Sequence, residues 1–364
     1  MPNLPKRQSL PNQAAQVILQ MIDDGELDGQ LPGERTLANK LQIGRDTLRL
    51  ALDILEAQGA ISPRQHGKSR NILYAGKAGA KKSKTKRVAI ISPKKLHELP
   101  PWMLIEVDTL RELLNQRGFQ LELLTPGIFH LKNPARRLEK LVSDSHVNVW
   151  ILYQCPAPVQ QWFQKNKLAT IIRGYPHQGV ELPCIDEDWE AAAYHAGVAL
   201  ARKGHRNIGL LMPDTNLAGL ITTEAGLRRA IEVSPTSGTV HKMVDQAEPG
   251  SACRALERTF RLQNPPTAIV VTRSRHVLTL LTWLASHKLR VPHDLSLITL
   301  CYEGWFEHLI PTITHYHSDP ASLARTVMRK AASMIEGEPV DATRKLIIPD
   351  YLEGQSLREI AVKP

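Results

Sequence analysis

Two arginines one helical turn apart are the first candidates for chemistry in this sequence. Arg45 and Arg49 stand at positions i and i+4 of the segment RDTLRLALDILEAQ, with Asp46 and Thr47 beside them on the polar face of a predicted helix. A guanidinium group can bridge O6 and N7 of guanine, and each such pair contributes about 1–3 kcal/mol of base discrimination. Two arginines alone also fit a solvated helix face, so the interpretation depends on the elements around them.

The surrounding elements form the order helix, helix, turn, helix and β-ribbon, which is typical of a winged helix-turn-helix. The predicted elements are helix Ala14–Asp24, a helix after Pro32 with Gly33 as its N-cap, helix Arg45–Gln58, and strands Ala60–Pro63 and Arg70–Leu73. Arg35, early in the second helix, is placed to reach a base or a phosphate. At the ribbon tip, His66, Gly67 and Lys68 are candidates for a minor-groove or backbone contact.

A basic segment of small residues follows the ribbon. Residues 76–87, GKAGAKKSKTKR, contain six basic residues and no acidic one, so we expect a linker that is either a plain tether or a phosphate contact. Beyond it, continuous apolar strands alternate with amphipathic helices, which indicates parallel sheets covered on both faces. The predicted fold class is therefore α/β, with a winged helix-turn-helix at 1–75 and a two-lobed, doubly wound parallel-sheet domain at 88–364.

The composition supports a polyanion as a partner. The 364 residues carry a formal net charge of +10, and excess positive charge favours nucleic acid. The N-terminus has no apolar signal-peptide core and no apolar run reaches membrane-spanning length, so we expect a cytoplasmic protein with no membrane partner. The four cysteines are scattered, which fits a reduced compartment.

The motifs of common enzymes and metal sites are missing from the sequence. We find no P-loop, no GxGxxG after a strand, no GxSxG and no HExxH, so we expect neither catalysis nor a cofactor. His315 and His317 would share one face of a strand, as a metal pair requires, but no third ligand is evident nearby. We therefore predict no metal site.

The first part of the chain resembles the GntR family of regulators. The resemblance covers about Gln13 to Leu73 and rests on LPGERTLA, IGRDTLRLALDILEAQG and ISPRQHGKSRNI. The resemblance implies that residues of the second and third helices and of the wing tip contact DNA. In this sequence they are Arg35, Arg45, Arg49, His66 and Gly67. Gly33 and Gly44 replace the hydroxyl residues usual in the family, which removes two side-chain caps but leaves acceptable N-caps.

The rest of the chain resembles the ligand-binding domain of LacI/GalR-type regulators, which is related to periplasmic binding proteins. The resemblance is firmest in the second lobe, where GHR precedes one strand and VPHD another, and the combination with a GntR-type head looks like arabinose-repressor-type regulators. Three polar anchors usual for sugars are absent from this sequence. Thr223 replaces an arginine, Arg273 with Ser274 replaces an aspartate, and Cys301 with Tyr302 replaces another.

The resemblance implies a ligand site between the two lobes, at the carboxyl ends of the strands. Candidate effector-binding residues near that cleft are Ser92, Tyr153, Arg173, Tyr175, Asp186, Thr223, Arg273, Tyr302 and Trp305. The two arginines favour an anionic ligand and the aromatic residues favour a ring. Asp186 matches an aspartate frequent in the family, while each residue also has a structural interpretation, such as lobe packing for Trp305.

The resulting hypothesis is that the protein is a DNA-binding transcription regulator, with repression as the preferred direction of regulation. It would act as a homodimer on a two-fold operator. Its operator affinity would be modulated by a small-molecule effector, either a sugar or an anionic metabolite. The missing sugar anchors keep an alternative open, in which the protein is a ligand-insensitive dimer whose body has lost its sensor function.

Overall fold

The chain divides into two compact units, Met1–Thr85 and Lys86–Pro364, called here the head and the body. The computed structural model describes residues 9–23, 26–27, 29–63, 69–73, 86–234, 238–248, 250–338 and 342–360. The predicted linker at 76–87 lies largely outside the described residues, and its last residue, Arg87, is the first residue of a strand.

Three helices build the head: α1 (Leu10–Asp23), α2 (Glu34–Leu41) and α3 (Arg45–Ala57). Each has one apolar face, and the three faces meet in a common core. The most deeply buried members of that core include Ile18, Leu37, Leu48, Leu52 and Leu55. Both α2 and α3 begin after glycine N-caps without a side-chain hydrogen bond, at Gly33 and Gly44.

The described part of the wing is an antiparallel ribbon with sparse strand pairing. We expected two strands, but the described residues pair through isolated antiparallel bridges, Ile61 with Ile72 and Gln30 with Asn71. Backbone hydrogen bonds extend the ribbon by one step on each side, from Ser62 N to Asn71 O at 2.8 Å and from Leu73 N to Ala60 O at 2.9 Å. The antiparallel ribbon is therefore present, with its tip at 64–68 outside the described residues.

The body contains two six-stranded sheets. In chain order the strands are β1 (Arg87–Ile91), β2 (Gln120–Leu124), β3 (Val149–Tyr153), β4 (Thr170–Arg173), β5 (Cys184–Glu187), β6 (Asn207–Pro213), β7 (Thr239–Asp245), β8 (Ala268–Val271), β9 (Ser296–Thr299), β10 (Thr314–His317), β11 (Arg344–Ile347) and β12 (Asp350–Leu352). The helices are α4 (Pro101–Gln116), α5 (Ala135–Asp144), α6 (Ala157–Lys165), α7 (Trp189–Arg202), α8 (Ala218–Glu232), α9 (Ser251–Phe260), α10 (Ser274–Ser286) and α11 (Pro320–Ile335).

Each sheet is the centre of one lobe. Lobe 1 has the strand order β11-β5-β4-β3-β1-β2, and all its neighbours are parallel. Lobe 2 has the order β12-β10-β9-β8-β6-β7, parallel except for the pair of β10 with β12. Strands such as β3 and β8 are buried along their whole length, because helices cover both faces. The α/β fold class expected from the sequence is confirmed.

The chain passes between the lobes three times, after β5, after β10 and after β11. Two of these crossings end in a capped helix. Asp188 accepts a hydrogen bond from Ala191 N at the start of α7, and Asp319 accepts from Ala321 N and Ser322 N at the start of α11. Each cap satisfies backbone donors that the helix leaves free, so it fixes where the crossing strand ends.

Helices α7 and α8 are so close at Gly226 and Gly197 that a side chain at either position would clash with the other helix. A Cβ atom at Gly226 would lie 2.3 Å from the carbonyl oxygen of Glu190, and one at Gly197 would lie 2.6 Å from Cβ of Ala230. Such distances require one helix to move, so both glycines hold the close approach.

We predict that Gly226→Ala lowers the unfolding free energy of the body by about 1–3 kcal/mol, because the added methyl group forces the two helices apart. Urea denaturation followed by circular dichroism measures this change. Gly304→Ala is the matched control, since a Cβ there meets no heavy atom within 4 Å. Equal stability of the two variants would contradict the packing described here.

Candidate functional site

The polar face of α3 is exposed because its apolar face is fixed in the core of the head. Leu48, Leu52 and Leu55 are buried, whereas Arg45 and Arg49 are exposed in the first two turns of the helix. Arg45 forms no hydrogen bond or ion pair with another described residue. Its guanidinium group is therefore available to an external acceptor.

Arg49 has acidic neighbours on two helices. Its Nε lies 3.1 Å from Oε2 of Glu34 in α2, and its Nη1 lies 3.8 Å from Oδ1 of Asp46. Exposed ion pairs of this kind contribute about 0–1 kcal/mol, so they orient the side chain without preventing an exchange of partners. Arg35 is exposed at the first turn of α2, and Thr47 is half-buried.

A buried arginine that the sequence interpretation overlooked joins the wing to α3. Arg70 lies in the returning half of the ribbon and is only 8% exposed. Its Nη1 donates to Oε2 of Glu56 at 3.0 Å, and its Nη2 lies 3.7 Å from Oδ1 of Asp53. Arg70 therefore holds the ribbon against α3. The predicted tip residues His66, Gly67 and Lys68 lie outside the described residues.

A cavity of about 580 Å³ opens in the body where the carboxyl ends of strands from both lobes converge. Its volume lies within the range of about 300–1,000 Å³ that is usual for small-molecule sites. Seven of the nine candidate effector-binding residues chosen from the sequence line it: Tyr153, Arg173, Tyr175, Asp186, Thr223, Arg273 and Tyr302.

Two candidates from the sequence do not line the cavity. Ser92 is fully buried in a local turn, where its Oγ donates to the carbonyl oxygen of Lys94 at 2.9 Å and accepts from the backbone N–H of Lys94 at 3.1 Å. Trp305 packs edge-on against Phe306 in the core of lobe 2, with 4.5 Å between ring centroids. The contact of Trp305 fits the packing role that the sequence left open for it, whereas no feature of the sequence indicated the local turn that binds Ser92.

One guanidinium group in the wall of lobe 1 is surrounded by three carboxyl groups. Arg173, at the end of β4, donates from Nε to Oε1 of Glu106 at 2.7 Å and from Nη2 to Oε2 of Glu106 at 3.0 Å. It also donates from Nη1 to Asp186, and from Nη2 to Oε2 of Glu187 at 3.2 Å. All four residues are buried. The cluster links α4, β4 and β5 to the first crossing between the lobes.

The charges of this cluster do not balance if every group is ionised. Burial and the neighbouring Glu187 raise the pKa of Asp186 well above 3.8, and burial raises the pKa of Glu106 despite the attraction of Arg173. Burial would also raise the pKa of Glu187, but Arg173 and Asp186 hold it below its ordinary value. Asp186 therefore retains a proton more readily than Glu187. Arg173 is consequently not a free cation for a ligand, contrary to our expectation of two available arginines.

Several hydroxyl groups in the cavity wall are engaged by the protein. Thr223 donates to the carbonyl oxygen of Gly219 at 2.7 Å, and Tyr175 donates to the carbonyl oxygen of Glu187 at 2.9 Å. By contrast, Nε2 of His177 and Oγ of Ser318 are buried without a hydrogen-bond partner among the described residues, and both residues line the cavity. Sequence reasoning missed these two residues, because neither lies in a motif.

The described residues contain neither a cluster of metal ligands nor a membrane-spanning helix. No group of three or more His, Cys, Asp or Glu side chains among them is arranged to hold a metal ion. None of their helices is both long and apolar enough to span a bilayer.

Comparison with known families matches both units of the chain. Residues 10–69 match the family described as bacterial regulatory proteins, gntR family, and residues 198–357 match the periplasmic binding protein-like domain. The resemblance to these two families is confirmed. The two models together cover the head and most of lobe 2.

Two curated relatives are transcriptional repressors. The chain is 24% identical to the arabinose metabolism transcriptional repressor of Geobacillus stearothermophilus, over 98% of this chain and all of the relative. It is 18% identical to the HTH-type transcriptional repressor PurR of Vibrio atlanticus, over 70% of this chain and 77% of the relative.

Solved structures show the fold of the body. A LacI family transcriptional regulator from Enterococcus faecium with bound ribose superposes with a TM-score of 0.62 at 15% identity, covering 76% of this chain and all of that chain. A LacI family regulator from Bifidobacterium animalis gives a TM-score of 0.63 at 19% identity, covering 76% and 99%.

We predict that Arg173→Met lowers the unfolding free energy of the body by about 3–5 kcal/mol, because it leaves three buried carboxyl groups without their cation. Chemical denaturation measures the loss. Arg228→Met removes a guanidinium whose ion pair with Glu224 is partly exposed, so its cost should stay below about 1 kcal/mol. A similar cost for both variants would contradict the role of the cluster.

We also predict opposite effects of two aspartates on the pH dependence of stability. The raised pKa of Asp186 means that the folded body holds a proton which the unfolded chain releases, so stability falls as the pH rises from about 4 through the folded-state pKa. Asp186→Asn should remove a slope of up to about 1.4 kcal/mol per pH unit in that window.

Asp245 supplies the contrast. Burial opposes ionisation of this carboxyl group, but hydrogen bonds from Ser251 and His276 hold its pKa at about 2. Its contribution to stability is therefore lost as the pH falls below about 4 towards 2, and Asp245→Asn should flatten only that acidic limb. Unfolding free energies measured from pH 2 to 8 test both statements. An unchanged slope above pH 4 in Asp186→Asn would show that this carboxyl is ionised in the folded state.

Proposed function

We propose that this chain, a gntR-type head joined to a periplasmic binding protein-like body, is a transcription regulator that binds operator DNA and senses a small molecule. The observation that carries the proposal is the presence of both parts in one chain, an exposed arginine face on α3 and a ligand-sized cavity between two lobes. Its full-length similarity to a repressor supports the direction of regulation, so we propose repression.

In this proposal, α3 enters the major groove with its N-terminal turn. Arg45 and Arg49 contact base edges, with Asp46 orienting Arg49 and Thr47 adjoining the same turn. Arg35 at the start of α2 contacts a phosphate. His66, Gly67 and Lys68 at the wing tip contact the backbone or the minor groove. The ion pairs of Arg70 support this arrangement, because they fix the base of the wing against α3.

The effector occupies the cavity of the body. Closure of the two lobes around it changes the affinity of the protein for its operator. Three chain crossings connect the lobes, and the cluster around Arg173 adjoins the first of them. A ligand that contacts both walls therefore favours one relative position of the lobes over the other. Coupling between two such sites amounts typically to about 1–3 kcal/mol.

The proposal includes a homodimer in the cytoplasm. A dimer would present two heads to a two-fold operator, with half-sites about 34 Å apart along the DNA. We propose the units as a DNA-binding domain at 1–75, a basic linker at 76–87 and an effector domain at 88–364.

A ligand-insensitive dimer is the second candidate function. The observation in its favour is the replacement of three sugar anchors by Thr223, Arg273 and the Cys301–Tyr302 pair. The hydroxyl group of Thr223 is engaged by its own helix, so it does not replace the missing arginine. A ligand at 100 times its dissociation constant should raise stability by about 2.7 kcal/mol, and a metabolite screen without any such shift would favour this second candidate.

We predict that the wild-type protein captures discrete genomic DNA fragments and that Arg45→Ala/Arg49→Ala loses them, since each base-reading arginine contributes about 1–3 kcal/mol of discrimination. Sequencing of fragments bound at fixed moderate salt measures this, because affinity for DNA depends strongly on salt.

The matched control is Arg254→Ala/Arg258→Ala on α9. This variant removes two exposed arginines at the same i, i+4 spacing and the same amount of charge, but from the body. It should retain the fragments captured by the wild type. Equal enrichment by all three proteins, or no enrichment by any, would contradict sequence-specific binding by the head.

A further inference from the structure

The cationic groups that face the cavity differ in whether the protein neutralises them. In lobe 1, Arg173 is shared by three carboxyl groups, whereas Lys94, which also lines the cavity, is exposed and forms no ion pair with another described residue. In lobe 2, Arg275 pairs with Oδ2 of Asp245 at 2.9 Å. Arg273 is different, because its bond among the described residues is the one that Nη1 donates to the carbonyl oxygen of Thr272 at 3.1 Å. Its positive charge therefore has no carboxylate partner in the part of the chain that the structure describes.

The position of Arg273 strengthens its preference for an anion. It is half-buried, it directly follows β8, and it is the N-cap residue of α10, a helix of 13 residues. The positive end of the helix dipole adds to the guanidinium charge at this point. The nearby Glu303 forms no ion pair with Arg273, and its Oε1 accepts a hydrogen bond from Oγ of Ser274 at 3.1 Å.

The charge of Arg273 reaches the opposite wall. Burial raises the pKa of Tyr153 in lobe 1, and the largest opposing effect on it comes from Arg273 in lobe 2. The lobe 1 wall itself has an excess of carboxyl groups over guanidinium groups around Asp186 and Glu187. A ligand in the cavity therefore meets hydrogen-bond acceptors on one side and an unneutralised cation on the other.

Aromatic rings make up much of the remaining wall. Two of the six tryptophans and four of the seven tyrosines of the sequence line the cavity: Trp102, Trp189, Tyr153, Tyr175, Tyr302 and Tyr316. Rings of this kind bind planar or ring-bearing ligands through their faces and edges. Two further lining residues, His177 and Ser318, carry a buried polar atom that has no hydrogen-bond partner among the described residues.

We propose that the effector is a ring-bearing organic anion, with its acidic group against Arg273 in lobe 2 and its hydroxyl or amino donors towards Asp186 and Glu187 in lobe 1. This inference rests on the proposed sensing function and narrows it from a sugar or an anion to an anion. A neutral sugar would leave the charge of Arg273 half-buried and unpaired in the closed cavity, which is costly.

The test compares two fluorescent dyes that share a ring system, anilinonaphthalene sulfonate and the uncharged phenylnaphthylamine. We expect the sulfonate to bind the wild-type full chain at least about 10-fold more tightly, since a charge-assisted hydrogen bond contributes that much or more. Arg273→Gln should abolish the preference while leaving the neutral dye within about 2-fold. Arg273→Lys should restore part of it, because it retains the charge but loses the planar fork.

Arg275→Gln is the control, because it removes a guanidinium from the same wall that Asp245 already neutralises. It should keep the preference for the sulfonate. Thermal unfolding of each variant checks that the body remains folded. Equal affinity of the two dyes for the wild type, no binding of either dye, or an equal loss in both glutamine variants would overturn the inference.

Fragment capture on the same variants separates this inference from the proposed function. Arg273→Gln leaves the head unchanged, so it should capture the same DNA fragments as the wild type. Retained capture together with no dye preference would refute only the anionic effector. Failure of the wild-type protein to capture any DNA fragment would instead refute the proposed function as a transcription regulator.

Discussion

The body depends on one buried ion cluster, in which the guanidinium group of Arg173 holds three carboxyl groups. The bidentate contact with Glu106 joins β4 to α4, and the contacts with Asp186 and Glu187 join it to the strand that leads into lobe 2. Because isolated charges are costly to bury, these four groups are stable inside the lobe only in one another's presence. The cluster therefore determines the geometry of the first crossing and contributes to the electrostatics of the cavity, since it neutralises the buried guanidinium group of lobe 1, whereas Arg273 in lobe 2 has no carboxylate partner among the described residues.

The head obeys a different constraint, which is the need to bury one face of a short helix. Leu48, Leu52 and Leu55 orient α3, and that orientation exposes Arg45 and Arg49 in its first two turns. Glycine N-caps start α2 and α3 without side-chain hydrogen bonds, so the helices rely on their shared core more than on capping. Arg70 attaches the base of the wing to α3 through a buried side-chain contact with Glu56. This contact takes the place of a long series of backbone hydrogen bonds between strands.

Much of this fold could be predicted from the sequence, because buried parallel strands are continuous apolar runs. The segments at β1, β3 and β8 were recognisable in that way. The strand β5 was not, because CIDE contains two acidic residues that are buried only through their contact with Arg173. The same long-range contact explains why Arg173 resembled a free ligand-binding cation in the sequence. Ser92 was misleading because the hydrogen bonds of its hydroxyl group lie within a local turn, whereas Trp305 has the packing contact that was its alternative interpretation.

The central claim is that one ligand site and one DNA site are coupled through the chain. The most direct test is the affinity for a captured operator, measured by fluorescence anisotropy with and without the small-molecule fraction of a cell extract at fixed salt. We predict a change of about 5- to 150-fold in the dissociation constant, as expected for a coupling of about 1–3 kcal/mol, and its disappearance in Arg273→Gln. An operator affinity that is the same with and without the extract would contradict the coupling and would favour a DNA-binding protein that senses no ligand.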